Sequence, residues 1–116
     1  MTTLLVVDGA NVVGSVPDGW WRDRKAAAER LRDRLAEYAR EHPDEEVVLV
    51  LEGRARGVGA VPGVRVEEAA GEGDDHIVGV VAGAEGACVV VTADRGLRER
   101  VAASGARCVG PRAVYP

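Results

Sequence analysis

Short continuous apolar runs alternate along this chain with longer stretches whose apolar residues recur at helical spacing. Leu4–Val7, Val47–Leu51 and Cys88–Val91 are unbroken runs of strand length, and the mixed segments Val64–Glu67 and Arg107–Val109 read as two further short strands. An unbroken run predicts a strand covered on both faces. From Asp23 to about His42, Ala27, Leu31, Leu35, Tyr38 and Ala39 share one helical face, Arg and Glu occupy the other, and Pro43 ends the helix. Asp74 to about Ala84 predicts a second helix with Ile77, Val80, Val81 and Ala84 inward, and Gly79 and Gly83 spaced for the close approach of another backbone. Arg95–Ala103 predicts a third, with Leu97 and Val101 inward. Residues 9–22, broken by Gly14, Pro17 and Gly19, read as a loop, and the Gly- and Arg-rich residues 53–63 as a mobile one.

Strands alternating with helices predict an α/β fold, a three-layer α/β/α arrangement around a parallel, five-stranded sheet. Right-handed crossovers with Leu4–Val7 in the centre give the strand order 3-2-1-4-5. The order reverses between strands 1 and 4. Ligands of such sheets bind beyond the carboxyl ends of the strands at that reversal. With 116 residues and neither repeat nor linker, residues 1–116 read as a single domain.

Composition narrows the class. Hydrophobic residues make up 47% and charged residues 29%, a globular balance. Aromatics are 3% and Phe is absent, so Val, Leu and Ala must build the core. No stretch approaches the roughly 20 apolar residues of a membrane span, and Met-Thr-Thr enters a strand with no basic leader, which leads us to expect a cytoplasmic protein. Cys88 and Cys108 lie inside apolar runs and read as small buried hydrophobes. The net charge of −4 argues against a passive nucleic-acid binder, though carboxylates that hold cations reverse the local field.

Candidate chemistry follows the strands. Strand 1 ends at Asp8, with Asn11 three residues on; strand 2 ends at Glu52; strand 4 runs into Thr92-Ala93-Asp94; strand 3 precedes Glu72-Gly73-Asp74-Asp75 at a helix start. The topology brings these carboxylates to one sheet edge. Two unit charges 4 Å apart repel by about 1 kcal/mol in water and about 4 at an effective dielectric of 20. Such a gathering points to a bound cation, and oxygen-only ligands suit Mg²⁺ or Mn²⁺ better than zinc. Each acid taken singly also has a structural explanation. Asp74 and Asp94 each precede a predicted helix, where Asp is a favoured N-cap; Asp8-Gly9 suits an Asx-turn, and Glu52 a solvated loop. Arg54 and Arg56 follow strand 2 on the same side of the sheet, as phosphate contacts or as solubilising loop charges. Trp20 and Trp21 precede the long helix, to stack on a base or to staple the helix. His76 reads as a solvated helix residue.

Three motifs resemble the PIN-like nuclease superfamily and, within it, the NYN-type, YacP-like domains. They are Val6-Val7-Asp8-Gly9-Ala10-Asn11-Val12-Val13, Asp75-His76-Ile77-Val78 and Val89-Val90-Val91-Thr92-Ala93-Asp94-Arg95, which in order span residues 4–96. The resemblance implies a PIN-like fold and a metal-dependent ribonuclease. Asp8, Asp75 and Asp94 match motif acids, and Asn11 the polar residue after the first. The second acid varies in position among such domains, and either Asp74 or Asp75 would face the metal. The resemblance also implies a terminal helix after strand 5, which the residues up to Pro116 do not predict. The implied function is hydrolysis of RNA phosphodiester bonds with Mg²⁺ or Mn²⁺. Asp8, Asp75 and Asp94 would hold the ion, Glu52 or Asp74 would assist, Asn11 would orient a ligand, and Arg54, Arg56 or Arg95 would neutralise phosphate charge. RNA, single-stranded or structured, is the implied partner; a homodimer or a protein partner stays open. The rival readings are a metal-dependent nucleotide hydrolase and a non-catalytic RNA- or protein-binding module of the same fold. A toxin of a toxin–antitoxin pair is a sub-case of the nuclease.

Overall fold

The computed structural model describes residues 2–115, the Arg54 side chain excepted. Its elements run β1 (Thr3–Asp8), α1 (Gly9–Gly14), α2 (Arg24–Glu41), β2 (Glu45–Leu51), β3 (Val64–Glu68), α3 (Gly73–Gly83), β4 (Cys88–Val91), α4 (Arg95–Ala102) and β5 (Arg107–Val109). The five strands form one parallel sheet in the order β3-β2-β1-β4-β5, as the alternation of patterns predicts.

The unbroken apolar runs are explained by helices on both faces. Leu5, Val7, Val47, Leu49, Leu51, Val89 and Val91 share one face with Val12 and Val13 of α1 and Ala27, Ala28, Leu31 and Leu35 of α2. The alternate residues Val6, Val48, Val50, Cys88 and Val90 face Ile77 and Val81 of α3 and Leu97 and Val101 of α4. Leu31 and Leu35 are fully buried. Truncating either to Ala removes packing typically worth 2–5 kcal/mol. Cys88 and Cys108 are both free thiols packed with the α3/α4 face; Cys88 is buried, as its reading as a core hydrophobe expects, whereas Cys108 is half-buried. Burial first, and then the neighbouring Cys108, push the Cys88 thiol up.

Three local expectations change. Residues 9–22 carry a six-residue helix and a 3₁₀ turn at Trp20–Arg22. Asp8 caps α1 by accepting from the Asn11 amide at 3.3 Å, and burial of Val12 and Val13 holds so short a helix in place. The loop after β2 is anchored. It makes a 3₁₀ turn at Gly53–Ala55, the Arg56 guanidinium donates to the Ala69 carbonyl at 2.6 Å, and Arg32 donates to the Gly59 carbonyl at 3.0 Å. Gly79 and Gly83 lie on the exposed side of α3, with nothing within 4 Å of where a Cβ would stand, so neither admits a neighbouring backbone. α3 packs through Ile77 and Val81 instead.

Gly9 does mark a close approach. A Cβ there would stand 2.5 Å from the Val50 carbonyl oxygen and 2.7 Å from Leu51 Cδ2. The absence of a side chain lets α1 start directly over β2, which fixes the direction in which the chain leaves Asp8.

Candidate metal centre at the sheet edge

Strand parity aims the first acids. Asp8 has the parity of Val6, and Glu52, still extended at φ −142° and ψ 166°, continues the parity of Val48 and Val50. Both therefore lean toward the layer of α3 and α4. The N-termini of those two helices deliver Asp74 and Asp94 to the same edge.

Several of these carboxylates have a structural task as well. Asp94 caps α4, accepting from the Leu97 amide through Oδ1 at 2.8 Å. Glu52 accepts through Oε2 from the amide of Gly73, the first residue of α3, whose own N-cap residue Glu72 makes no side-chain cap. A Cβ on Gly73 would stand 2.5 Å from that same oxygen, so glycine is what admits the Glu52 carboxylate to the helix end. The unpaired N–H groups of a helix start favour negative charge, which lessens the repulsion within the cluster. Among the described residues no hydrogen bond engages Asp94 Oδ2, Glu52 Oε1 or either oxygen of Asp74.

Thr92 ties the seam together. Its buried hydroxyl donates to Asp8 Oδ2 at 2.9 Å and accepts from the Asp94 amide at 3.1 Å. Asn11 Oδ1 accepts from the Ala93 amide at 2.8 Å, and the Asn11 Nδ2 donors make no hydrogen bond among the described residues. Arg98 donates to the Thr92 carbonyl at 2.9 Å. The sequence reading left Thr92, Gly73 and Arg98 out of the site. Thr92 alone had a signal there, in the Thr-x-Asp spacing.

Electrostatics join the acids. Burial is the first cause that pushes the Asp8 carboxyl up, and the charges of Asp74 and Glu52 add to it, against the Thr92 and Asn11 hydrogen bonds. The Asp74 carboxyl is also pushed up, by burial first and then by Asp94 and Glu52, with Arg100 opposing. Asp74 thus interacts with every other acid of the edge. Asp75, which the motif matches, is exposed and pairs with Arg100 at 2.9 Å. His76 is engaged by Glu67 at 2.7 Å.

The remaining expected residues divide. Arg95 is exposed on the first turn of α4, beside Asp94. Arg56 spends one guanidinium nitrogen on the Ala69 carbonyl, and the Arg54 side chain lies outside the described residues. Trp20 packs at the border of the α1/α2 core, whereas Trp21 is 55% exposed.

The donor set is all oxygen, and mutual repulsion within it would be relieved by a divalent cation, so the chemistry of the donors suits Mg²⁺ or Mn²⁺. As placed, no three His, Cys, Asp or Glu side chains among the described residues form a group able to hold an ion by themselves. Mg²⁺ is commonly held by one or two carboxylates, with water and substrate phosphate completing its shell.

No protein-family model and no curated protein matches the chain. Solved structures do. The crystal structure of Rae1 (YacP) from Bacillus subtilis superposes with a TM-score of 0.77 at 23% identity, over 94% of this chain and 69% of that one. A tryptophan-to-leucine mutant of the same protein gives 0.72 at 22%, over the same shares. At such identity the likeness is one of fold: the chain has the YacP-like, PIN-like fold. No helix among the described residues is long and apolar enough to cross a membrane.

Proposed function

Starting from a PIN-like fold of the Rae1 (YacP) type with Asp8, Glu52, Asp74 and Asp94 at its switch point, we propose that this protein is a metal-dependent ribonuclease that hydrolyses RNA phosphodiester bonds. The observation that carries the reading is the gathering of Asp8, Glu52, Asp74 and Asp94 at one edge of the sheet, where burial first and then their neighbouring charges push the Asp8 and Asp74 carboxyls up. Asp8, Asp94 and Asp74 would hold Mg²⁺ or Mn²⁺, with Glu52 assisting and Asp75 set back against Arg100. The ion, when bound, supplies charge stabilisation at the phosphate and lowers the pKa of water.

The chain's own groups have separate tasks. Thr92 fixes the Asp8 carboxylate and, through the Asp94 amide, the start of α4. Asn11, with its oxygen committed to Ala93, offers Nδ2 donors to a phosphate oxygen. Arg95 offers a positive charge beside Asp94, in a protein whose net charge of −4 otherwise repels RNA.

One observation favours the rival, a non-catalytic RNA- or protein-binding module of this fold: no three acids converge on an ion as placed. The deciding experiment incubates purified protein with single-stranded and structured RNA in Mn²⁺, beside Asp8→Asn and Asp94→Asn. The nuclease reading expects cleavage by the parent and none by either variant, with unchanged far-UV circular dichroism. Cleavage at the parental rate in both variants removes these acids from the chemistry. RNA binding without cleavage by the parent supports the module.

A further inference from the structure

A small cleft opens beside the acid edge, on the opposite side of the sheet from α3 and α4. Its volume is about 150 Å³, and Val13, Leu51 and Ala28 form its apolar floor. Trp20 and Arg24 wall it, and Gly9 and Glu52 stand where it meets the acid edge. It falls well short of the roughly 300 Å³ at which drug-sized ligand sites begin, and suits one planar ring system.

The wall is built before any ligand arrives. The Arg24 guanidinium lies over the Trp20 ring at 5.2 Å from its centroid, and Trp21 meets Trp20 edge-on at 6.0 Å. Gly14 of α1 lies against the ring: a Cβ there would meet Trp20 Cζ2 at 3.8 Å, an ordinary van der Waals contact. An indole held in this way loses little freedom when a second ring joins it. Arg24 is exposed, and with its neighbours Arg22 and Lys25 it brings positive charge beside the cleft of a protein whose net charge is −4.

We propose that this cleft receives one unpaired nucleobase of an RNA strand, the nucleotide next to the phosphate at the acid edge. The assignment rests on the ribonuclease reading for the position of that phosphate. Gly9 follows Asp8 directly, and Glu52 borders both the cleft and the acid cluster, so a base in the cleft and a phosphate at the edge are adjacent. An apolar floor beside an aromatic wall accepts any base by stacking, and only an unpaired base can enter. Single-stranded RNA is therefore the substrate class that the cleft selects.

The test reads Trp20 fluorescence in Trp21→Phe protein carrying Asp94→Asn, which silences cleavage. A short single-stranded RNA should quench saturably. The same oligomer with abasic positions should not quench at equal concentration. Ala10→Leu, at an exposed position that lines the cleft, should weaken binding about 5- to 100-fold, the range of a lost base–aromatic stack. Equal quenching by intact and abasic RNA overturns the proposal, as does no quenching up to millimolar RNA. A nucleoside monophosphate that quenches as well as the oligomer also overturns it, by making the cleft a mononucleotide site. The abasic comparison alters only the RNA and stands even if Ala10→Leu misfolds. Base-dependent quenching by a protein whose parent cleaves nothing would sink the nuclease reading and keep the cleft. Cleavage by the parent with base-independent binding would do the reverse.

Discussion

The Thr92 hydroxyl donates to the Asp8 carboxylate at 2.9 Å, joining two residues 84 positions apart across the seam where the sheet order reverses. Both groups are buried, so neither finds water as a substitute partner. The same hydroxyl accepts from the Asp94 amide, and one oxygen atom therefore sets the relation between two candidate metal ligands.

Thr92→Val keeps the shape and removes both bonds. It should cost about 1–3 kcal/mol, the usual penalty of leaving a buried polar group unpaired. It should also push the Asp8 carboxyl further up, because the Thr92 bond is the largest influence holding it down. Thr92→Ser should restore most of both. Urea unfolding and carboxyl titration by NMR measure the two effects. Equal stability of Thr92→Val and parent would show the bond to be dispensable.

Asp8 and Asp74 have folded pKa values above their unfolded ones. Over that interval the native state binds more protons than the unfolded chain, so stability falls as pH rises from about 4 through the folded values. In chelator, Asp74→Asn should be more stable than the parent at pH 7, and the gain should vanish as pH falls toward the unfolded carboxyl value of 3.8. Denaturant curves at the two ends of this range give the comparison. A gain that persists unchanged at the acid end would have a cause other than charge.

Asp74 and Asp75 are separated by metal response. Mn²⁺ that binds only the native state stabilises by about 2.7 kcal/mol at 100 times its dissociation constant, an upward shift of roughly 10 °C for a domain of this size. The shift should shrink strongly in Asp74→Asn and Asp94→Asn and survive in Asp75→Asn, whose carboxylate is spent on Arg100. Asn caps helices about as well as Asp, so the Asp94 comparison isolates charge from capping. Survival in Asp74→Asn and loss in Asp75→Asn would reverse the assignment.

Gly9→Ala should destabilise by about 1–3 kcal/mol, the cost of forcing an extra carbon into a packed site. The obstruction is the Val50 carbonyl, part of the β-sheet backbone, and a Cβ would stand 2.5 Å from it. Because α1 must lift to make room, the Mn²⁺ shift should fall as well. Thermal scans with and without the ion report both, and a parental melting temperature would mean that the approach is looser than described.

The sheet order was legible because three unbroken apolar runs and two short mixed segments of strand length are interspersed with helical periodicity, and chirality leaves few ways to connect them. The edge that gathers the acids followed from the same order. The choice between Asp74 and Asp75 was not legible. Neighbouring helix positions differ by about 100° of rotation, and the start of α3 at Gly73 is set by the Glu52 carboxylate, far away in the chain. The motif therefore matches Asp75 while packing turns Asp74 toward the other acids. α1 escaped notice because six residues flanked by breakers carry little periodicity, and its stability comes from burial of Val12 and Val13. The Asp94 cap and the Asp94 ligand, set against each other in the sequence, are compatible because they use different oxygens.

The seam between β1 and β4 also sets an order on synthesis. A nascent chain that has emerged only through β3 can pair β1, β2 and β3 and already carries Asp8 and Glu52. It has neither the hydroxyl that orients Asp8 nor the acids that follow. The edge is completed only when β4 docks on β1, after every residue up to Asp94 has emerged. Until then β1, β2 and β3 can pair without assembling the proposed ion site, so sheet formation and site formation are separate events in folding.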